Sequence, residues 1–458
     1  MLGEHRHPEV RIMVSGEVAL ILLLVAVAAI VIMTGRYKVN AFFVLISVAF
    51  AYGLAIGIDP LEVIKLVREG FGGTLTNIGI VIVAGTVMGL VLEKTGAALS
   101  LTRVILKLVG KERSSLAMNA AGVVVSIPVF CDSGYVIMSP LNKALSRESG
   151  TSMVTMAVAL ATGLYATHTM VPPTPGPVAA ASALSADLGK VILYGVIVSI
   201  PAALAAWFFA TRIGKNAPPA AATGETYQSM VEKFGRLPSP FMSFMPIFLP
   251  ILLILLKSVA ELPSKPFGEG DFQTTLRFVG DPVVALILGM LISFTLVQSK
   301  AQVKEAFSTW MGEGIKDAAL ILVITGAGGS LGKVLGVSPL KDYVSNVLAD
   351  PQLGLGLFLP FIISAALKTA QGSSTVAIIT TSGIIAPLMS TLGLDPALTV
   401  VVIGAGAMVV SHANDSYFWV VSQFSDLDVA TAYRAFTTAT MIEGVVAFFC
   451  AWLLSFAI

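Results

Sequence analysis

The feature of this chain that most limits its fold is a series of apolar runs, each close to the length of a membrane crossing. About 20 apolar residues span the hydrocarbon core of a bilayer as a helix. Runs that reach or approach this length lie at 17–35, 40–58, 77–93, 152–171, 191–212, 241–257, 280–297, 317–335, 396–418 and 435–457. Charged residues make up only 12% of the 458 residues, whereas soluble domains carry about 25%. The pattern predicts an all-α polytopic membrane protein with about ten transmembrane helices.

Composition argues against several other classes of protein. The net charge of +1, without a basic tail, argues against a nucleic-acid partner. Cys131 and Cys450 lie in separate apolar segments, so neither a disulfide framework nor a C-x-x-C metal site is expected. Nucleotide-binding loops and the common hydrolase motifs are absent from the sequence. We therefore expect no cofactor and no enzymatic activity. The energy for whatever the protein does is expected to come from an ion gradient or from the gradient of the solute itself.

Two halves of the chain resemble each other across a polar linker. Residues 71–96 align with 310–336, and each segment precedes an apolar stretch that is interrupted at its middle. If each interrupted stretch is a re-entrant hairpin, each half has five crossings, and the odd number gives the halves opposite orientation, an inverted-topology repeat. The excess of Lys and Arg in alternate loops places the N-terminus outside and the linker in the cytoplasm. The predicted boundaries are an N-terminal repeat at 1–213 with a hairpin at 117–147 and a broken helix at 152–185, a linker at 214–240, and a C-terminal repeat at 241–458 with a hairpin at 353–391 and a broken helix at 396–431.

The run at 152–171 continues into a proline-rich interruption, "MVPPTPGPV", that a regular transmembrane helix does not tolerate. Proline removes a donor N–H and clashes with the preceding turn. Non-helical backbone survives at membrane depth only inside the protein or along a polar cavity. The helix that begins after the break presents free N–H groups, which suit an anion. We therefore predict that His168, Thr174 and Gly176 line a substrate site; the alternative is a simple kink that shapes the bundle.

The hairpin at 353–391 carries a cation and a row of hydroxyl groups at its middle, in "LKTAQGSST". Lys368 lies far from either end of the apolar stretch, and an ionisable group at that depth usually faces a cavity or a partner. Gly372 permits a tight turn. Ser373, Ser374 and Thr375 place hydroxyls beside the free N–H groups of the next helix. The pattern predicts a receiver for a carboxylate and its hydroxyls; the alternative is a capped hairpin whose lysine extends to the membrane surface.

Two further interruptions bring acidic groups into apolar segments. In the first hairpin, Asp132 could pair with Lys368, bind a cation or carry a proton; the alternative is an acid that closes a turn at the membrane interface. In "VVSHANDSYFWVV", the side chains predicted to line the cavity are His412, Asn414, Asp415 and Ser416. The alternative for this segment is a turn at the membrane edge. Asp132 and Asp415 are the candidates for proton coupling, and Glu443 in the last apolar run is a weaker one.

The chain resembles the gluconate permease family in four motifs: "IPVFCDSGYVIMSPL", "THTMVPPTPGPVAAASALSADLG", "AQGSSTVAIITTSG" and "SHANDSYFWVVSQF". The resemblance implies proton-coupled uptake of gluconate or a related acid across the bacterial inner membrane. It also implies separate scaffold and transport subdomains and a homo-oligomer, with a dimer expected. By position, it places the substrate site at 132, 168, 172–177, 368, 371–375 and 412–416, which adds Gln371. Thr174 and Lys368 replace a histidine and an arginine of many members, which weakens bidentate carboxylate recognition and favours a smaller, glycerate-like hydroxy acid.

These observations predict a secondary active transporter for a small organic anion, and three alternatives stay open. Sodium is the alternative coupling ion, because the carbonyl and hydroxyl oxygens of the hairpin tips can coordinate it. A membrane enzyme that uses His168, His412 and the aspartates is the second, although an enzyme needs no access from two sides. A passive channel is the third, and it would show only downhill flux that barely saturates.

Overall fold

The computed structural model describes residues 14–110, 113–220, 237–261, 266–339, 356–413 and 415–458, together with 232 and 343. Every regular element within these ranges is a helix, so the predicted all-α architecture is confirmed. The helices are α1 (Gly16–Val31), α2 (Ala41–Ala55), α3 (Pro60–Lys94), α4 (Ala97–Val109), α5 (Ser114–Val125), α6 (Cys131–Ser149), α7 (Met153–Met170), α8 (Pro175–Ala183), α9 (Leu188–Ile213), α10 (Pro240–Ala260), α11 (Asp271–Val279), α12 (Pro282–Phe294), α13 (Lys300–Glu305), α14 (Met311–Gly336), α15 (Phe358–Gln371), α16 (Ser374–Ile385), α17 (Met389–Leu392), α18 (Pro396–Gly406), α19 (Ser416–Phe424), α20 (Val429–Ala432) and α21 (Thr438–Leu454).

Several of these helices are long and apolar enough to cross a membrane. By length and composition, seven segments in the described ranges qualify, and nine if each of two bent pairs forms one span. The bent pairs are Pro60–Asn77 with Gly79–Lys94, and Asp271–Val279 with Pro282–Phe294. Three of the ten apolar runs give helices shorter than a full crossing, because 40–58 forms only α2, 280–297 forms only α12, and 396–418 breaks after α18. The chain is therefore a multi-pass membrane protein in which some spans are interrupted.

The longest helix, α3, packs antiparallel against α14. Ion pairs lie towards both ends of the contact, with Lys94 Nζ 3.1 Å from Glu313 Oε2 and Lys333 Nζ 3.7 Å from Glu69 Oε2. Both pairs are substantially exposed, so each contributes little to stability. Close approach of the two backbones matters more. A β-carbon on Gly70 would lie only 2.5 Å from the carbonyl oxygen of Gly329, and small residues at such crossings are what allow membrane helices to pack closely.

The centre of the molecule is α7. All of its residues are buried, as expected for a helix that is apolar on every side. It packs against α5, α6 and α9. Because α7 is enclosed, the polar side chains in its last two turns face protein or a cavity rather than lipid. Those side chains include Tyr165 and His168, which contribute to the candidate site.

Four of the gaps between consecutive helices lie at 126–130, 171–174, 372–373 and 407–415. Each falls within one of the polar motifs that interrupt the apolar runs of the sequence. The second interruption contains the cis peptide bond between Pro172 and Pro173. The division into inverted repeats, the hairpin boundaries and the orientation in the membrane remain predictions.

Substitution of Gly70 tests the close crossing of α3 and α14. We expect Gly70→Ala to lower the stability of the protein by about 1–3 kcal/mol, because the new methyl group meets backbone atoms that have no room to move. Gly73→Ala is the matched control on the same helix, since a β-carbon there meets nothing within 4 Å. The measurement is the midpoint of thermal unfolding in detergent. Equal midpoints for the two variants would show that the crossing is looser than described.

Candidate functional site

A buried ion pair joins the end of α15 to the break between α18 and α19. Lys368 Nζ lies 2.5 Å from Asp415 Oδ2, and the two side chains are 0% and 7% exposed. The same Nζ donates a hydrogen bond of 2.5 Å to the carbonyl oxygen of Gly372. Gly372 has a φ of 91°, a conformation that glycine adopts without steric cost. The end of α15 is therefore tied both to its own turn and to the start of α19.

The carboxylate of this pair has further partners. Asp415 Oδ2 accepts a hydrogen bond of 2.5 Å from Ser411 Oγ, and Oδ1 accepts one of 3.1 Å from the backbone N–H of Tyr417. Asp415 is thus also the N-cap of α19. A buried ion pair is tolerated when both charges are compensated and their remaining lone pairs and protons are hydrogen-bonded. This arrangement meets that condition, so the pair can hold the two elements together.

Next to the ion pair lies a cavity of about 390 Å³. Its lining residues come from five helices and the turns before them. They are Phe130, Cys131, Asp132, Tyr165, His168, Leu320, Ile321, Ile324, Gly372, Ser373, Ser374, Thr375, Val376, Ile379, Asp415, Ser416 and Tyr417. The predicted residues that the structure brings together here are Asp132, His168, Gly372, Ser373, Ser374, Thr375, Asp415 and Ser416. One wall is apolar and is formed by α14, and the remaining walls are largely polar.

Three helices begin at this cavity. The first residues of α6, α16 and α19 are Cys131, Ser374 and Ser416, and each of them lines the cavity. The first N–H groups of a helix lack partners within the helix, and the helix dipole places a partial positive charge there. Three such ends around one cavity make it favourable for an anion. No Lys or Arg is among the described residues that line it.

Tyr165 is a cavity residue that the sequence patterns did not single out. Its hydroxyl lies 2.6 Å from Ser374 Oγ and donates a hydrogen bond of 3.3 Å to the carbonyl oxygen of Ala407. Its ring is tilted by 48° to that of Tyr417, with 5.2 Å between the ring centroids, and Lys368 Nζ lies 5.8 Å from the Tyr165 ring centroid. Tyr165 therefore connects α7 to the start of α16. Its position three residues before His168, on the same helical face, was a signal that could have identified it.

Two buried polar atoms at the cavity have no hydrogen-bond partner among the described residues. They are Asp132 Oδ1 and His168 Nδ1. The His168 ring packs against Phe130, with 5.8 Å between ring centroids. Burying a polar atom without a partner is unfavourable, and such atoms often mark a place where a ligand or ion binds. Both atoms belong to residues that line the cavity, so they are available to whatever enters it.

Three other predicted residues, Thr174, Gly176 and His412, do not line the cavity. Thr174 is buried and donates to the carbonyl oxygen of Val171 at 2.7 Å. Gly176 is a packing residue, because a β-carbon there would lie 2.9 Å from Ile378 Cδ1. His412 Nε2 lies 2.8 Å from the carbonyl oxygen of Thr369. The side chain of Gln371, and Asn414 as a whole, lie outside the described residues.

Lys368 differs most from its predicted role. We expected its ammonium group to receive a carboxylate, with Asp132 as one candidate partner. It instead pairs with Asp415, is fully buried, and does not line the cavity. The reason is that an unpaired ammonium group in an apolar interior is unfavourable, and Asp415 is close enough to neutralise it. Glu443 is also fully buried outside the cavity, and both of its carboxyl oxygens lack partners among the described residues.

Interrupted helices around a polar cavity inside a bundle of membrane spans are typical of secondary transporters, and this is the class that the fold and the site indicate. The solved YdaH transporter of Alcanivorax borkumensis, described as having an unusual topology, aligns with a TM-score of 0.62. The alignment covers 87% of this chain and 90% of that chain at 16% sequence identity. At this identity, the comparison shows a shared fold.

The chain belongs to the GntP family of permeases, whose pattern matches residues 18–457. It is 32% identical over 432 residues to the gluconate permease of Pseudomonas aeruginosa, covering 92% of this chain and 94% of that relative. It is 31% identical over 441 residues to the D-serine transporter DsdX of Escherichia coli K12, covering 95% and 98%. The family resemblance of the four motifs is confirmed, and the protein is a permease rather than an enzyme.

A double-mutant cycle tests the role of the ion pair. We expect Lys368→Met and Asp415→Asn each to cost about 3–5 kcal/mol of stability, because each leaves one uncompensated buried charge. The double variant should be less destabilised than the sum of the two, since it leaves no charge behind. The measurement is the unfolding midpoint of the four proteins in detergent. Additive losses would mean that the two side chains do not interact.

Proposed function

We propose that this permease is a secondary transporter that carries a small hydroxylated organic anion, with protons, across the bacterial inner membrane. The observation that supports this most directly is the convergence of three helix N-termini on one cavity that no described Lys or Arg lines. Such a cavity attracts an anion through backbone N–H groups and helix dipoles. Its volume of about 390 Å³ lies within the range of small-molecule sites.

Hydroxyl groups around the cavity support a substrate that is itself hydroxylated. Ser373, Ser374, Thr375 and Ser416 all line it, and each hydroxyl can donate and accept a hydrogen bond. Gluconate and D-serine, which give two relatives their names, share a carboxylate with a polar substituent on the adjacent carbon. In such a substrate, helix N-termini can bind the carboxylate, and these hydroxyls can hydrogen-bond to the polar group on the adjacent carbon.

Asp132 is our candidate for the group that couples protons to the anion. A negative charge on Asp132 repels an anion in the same cavity, and a proton on the carboxyl group removes that repulsion. Proton binding and anion binding then favour each other, and this coupling is reciprocal. The unpartnered Oδ1 of Asp132 and Nδ1 of His168 are both available for this exchange. Sodium remains the alternative coupling ion.

Uptake into proteoliposomes tests the proposed function. The full chain is challenged with gluconate, D-glycerate, lactate, 3-hydroxybutyrate and D-serine, under an inward proton gradient and separately under a sodium gradient. We expect saturable uptake of at least one hydroxy acid. This uptake should depend on the proton gradient and be unaffected by the sodium gradient. Uptake that requires sodium would overturn proton coupling and keep the transporter. Absence of uptake for all five compounds, in vesicles that contain folded protein, would overturn the proposed substrate class.

Removing the charge of Asp132 tests its role in coupling. We expect Asp132→Asn to abolish accumulation driven by a proton gradient while exchange of labelled for unlabelled substrate continues. Glu443→Gln is the matched control, because it neutralises another buried acid whose oxygens lack described partners but which does not line the cavity. It should retain both activities. Loss of accumulation in Glu443→Gln but not in Asp132→Asn would show that Glu443, and not Asp132, couples protons to the substrate.

A further inference from the structure

A second groove lies between α4 and α6, and it shares no lining residue with the central cavity. Its volume is about 370 Å³. Leu106, Leu141 and Leu145 are among the residues that line it. Leu141 and Leu145 are almost fully buried, so they form the floor of the groove rather than its rim. The floor of the groove is therefore apolar.

Two cationic side chains line this groove. Arg103 and Lys107 both line it, and their spacing of four residues places them on the same face of α4. Both are exposed, and neither has an ion pair or hydrogen bond in the part of the chain that the structure describes. Glu148 also lines the groove, and it already makes an interaction of its own. The groove thus combines an apolar floor with two cations that have no described partner.

The helix that carries these cations has the character of a membrane-surface helix. The first half of α4, from Ala97 to Thr102, is buried on all sides, and Ile105 is buried after it, whereas Leu108 near the end of the helix is 81% exposed. In a protein that spans a membrane, an exposed leucine beside two cations suits contact with lipid. Helices with basic and apolar groups arranged in this way lie at the boundary between head groups and acyl chains.

We propose that this groove is a binding site for an anionic phospholipid. The phosphate of the head group would lie between Arg103 and Lys107, and an acyl chain would lie along Leu106, Leu141 and Leu145. A water-soluble anion would make no contact with the leucines. A neutral lipid would bring no net negative charge to Arg103 and Lys107. Basic pockets beside transmembrane helices are suited to anionic head groups for this reason. The site is independent of the transported substrate.

Native mass spectrometry of the full chain tests the proposal. The protein is titrated in detergent with dioleoyl phosphatidylglycerol and, separately, with dioleoyl phosphatidylcholine. We expect the wild type to retain more phosphatidylglycerol than phosphatidylcholine. Arg103→Gln combined with Lys107→Gln should reduce retention of phosphatidylglycerol to that of phosphatidylcholine. Ala144→Phe, which narrows the groove and keeps the charges, should reduce retention of both lipids.

Controls separate this site from general attraction between charges. Lys215→Gln combined with Lys304→Gln removes the same charge from exposed positions outside the groove, and it should leave retention unchanged. Equal loss in the two double variants, or equal retention of both lipids by the wild type, would overturn the proposal. Competition by glycerol phosphate as strong as that by the lipid would show a site for a soluble anion instead. Unfolding midpoints confirm that the Arg103 and Lys107 variant is folded.

Discussion

The ion pair between Lys368 and Asp415 is the interaction on which the walls of the central cavity depend. Lys368 lies in the last turn of α15 and donates to the turn that starts α16, whereas Asp415 caps α19. The pair therefore fixes the starts of two helices relative to each other. It can do so inside an apolar bundle because Ser411 and the N–H of Tyr417 compensate the carboxylate as well.

A consequence of the pairing is that Lys368, the cation at the end of α15, does not line the cavity. An anion is then attracted by the helix dipoles at the starts of α6, α16 and α19, where the N–H of Tyr417 in α19 is already bonded to Asp415. Dispersed, partial charges suit a transporter, because a substrate must leave as readily as it enters. The buried helix α7 adds Tyr165 and His168 to the lining of the cavity. The enclosed position of α7 explains how polar groups can sit there without facing lipid.

Local patterns predicted the interruptions well, because proline, glycine and clustered polar residues prevent a continuous helix regardless of what surrounds them. They placed Asp132, His168, Gly372 and Ser416 at such interruptions, and these residues meet at one cavity. The partner of Lys368 was not predictable, since several acids were possible and Asp415 is distant in sequence. Tyr165 was missed because its role depends on contacts with Ser374 and Ala407. Thr174 and Gly176 were predicted at the site and do not line this cavity: Thr174 donates to the carbonyl oxygen of Val171, and Gly176 packs against Ile378.

The central claim is that helix N-termini, and not Lys368, receive the carboxylate of the substrate. A structure determined in lipid nanodiscs with the transported acid bound tests it most directly. The account predicts a carboxylate within hydrogen-bond distance of the backbone N–H groups at the starts of α16 and α19, with the Lys368–Asp415 pair intact. A carboxylate bound to Lys368 in place of Asp415, or a substrate outside this cavity, would contradict the account.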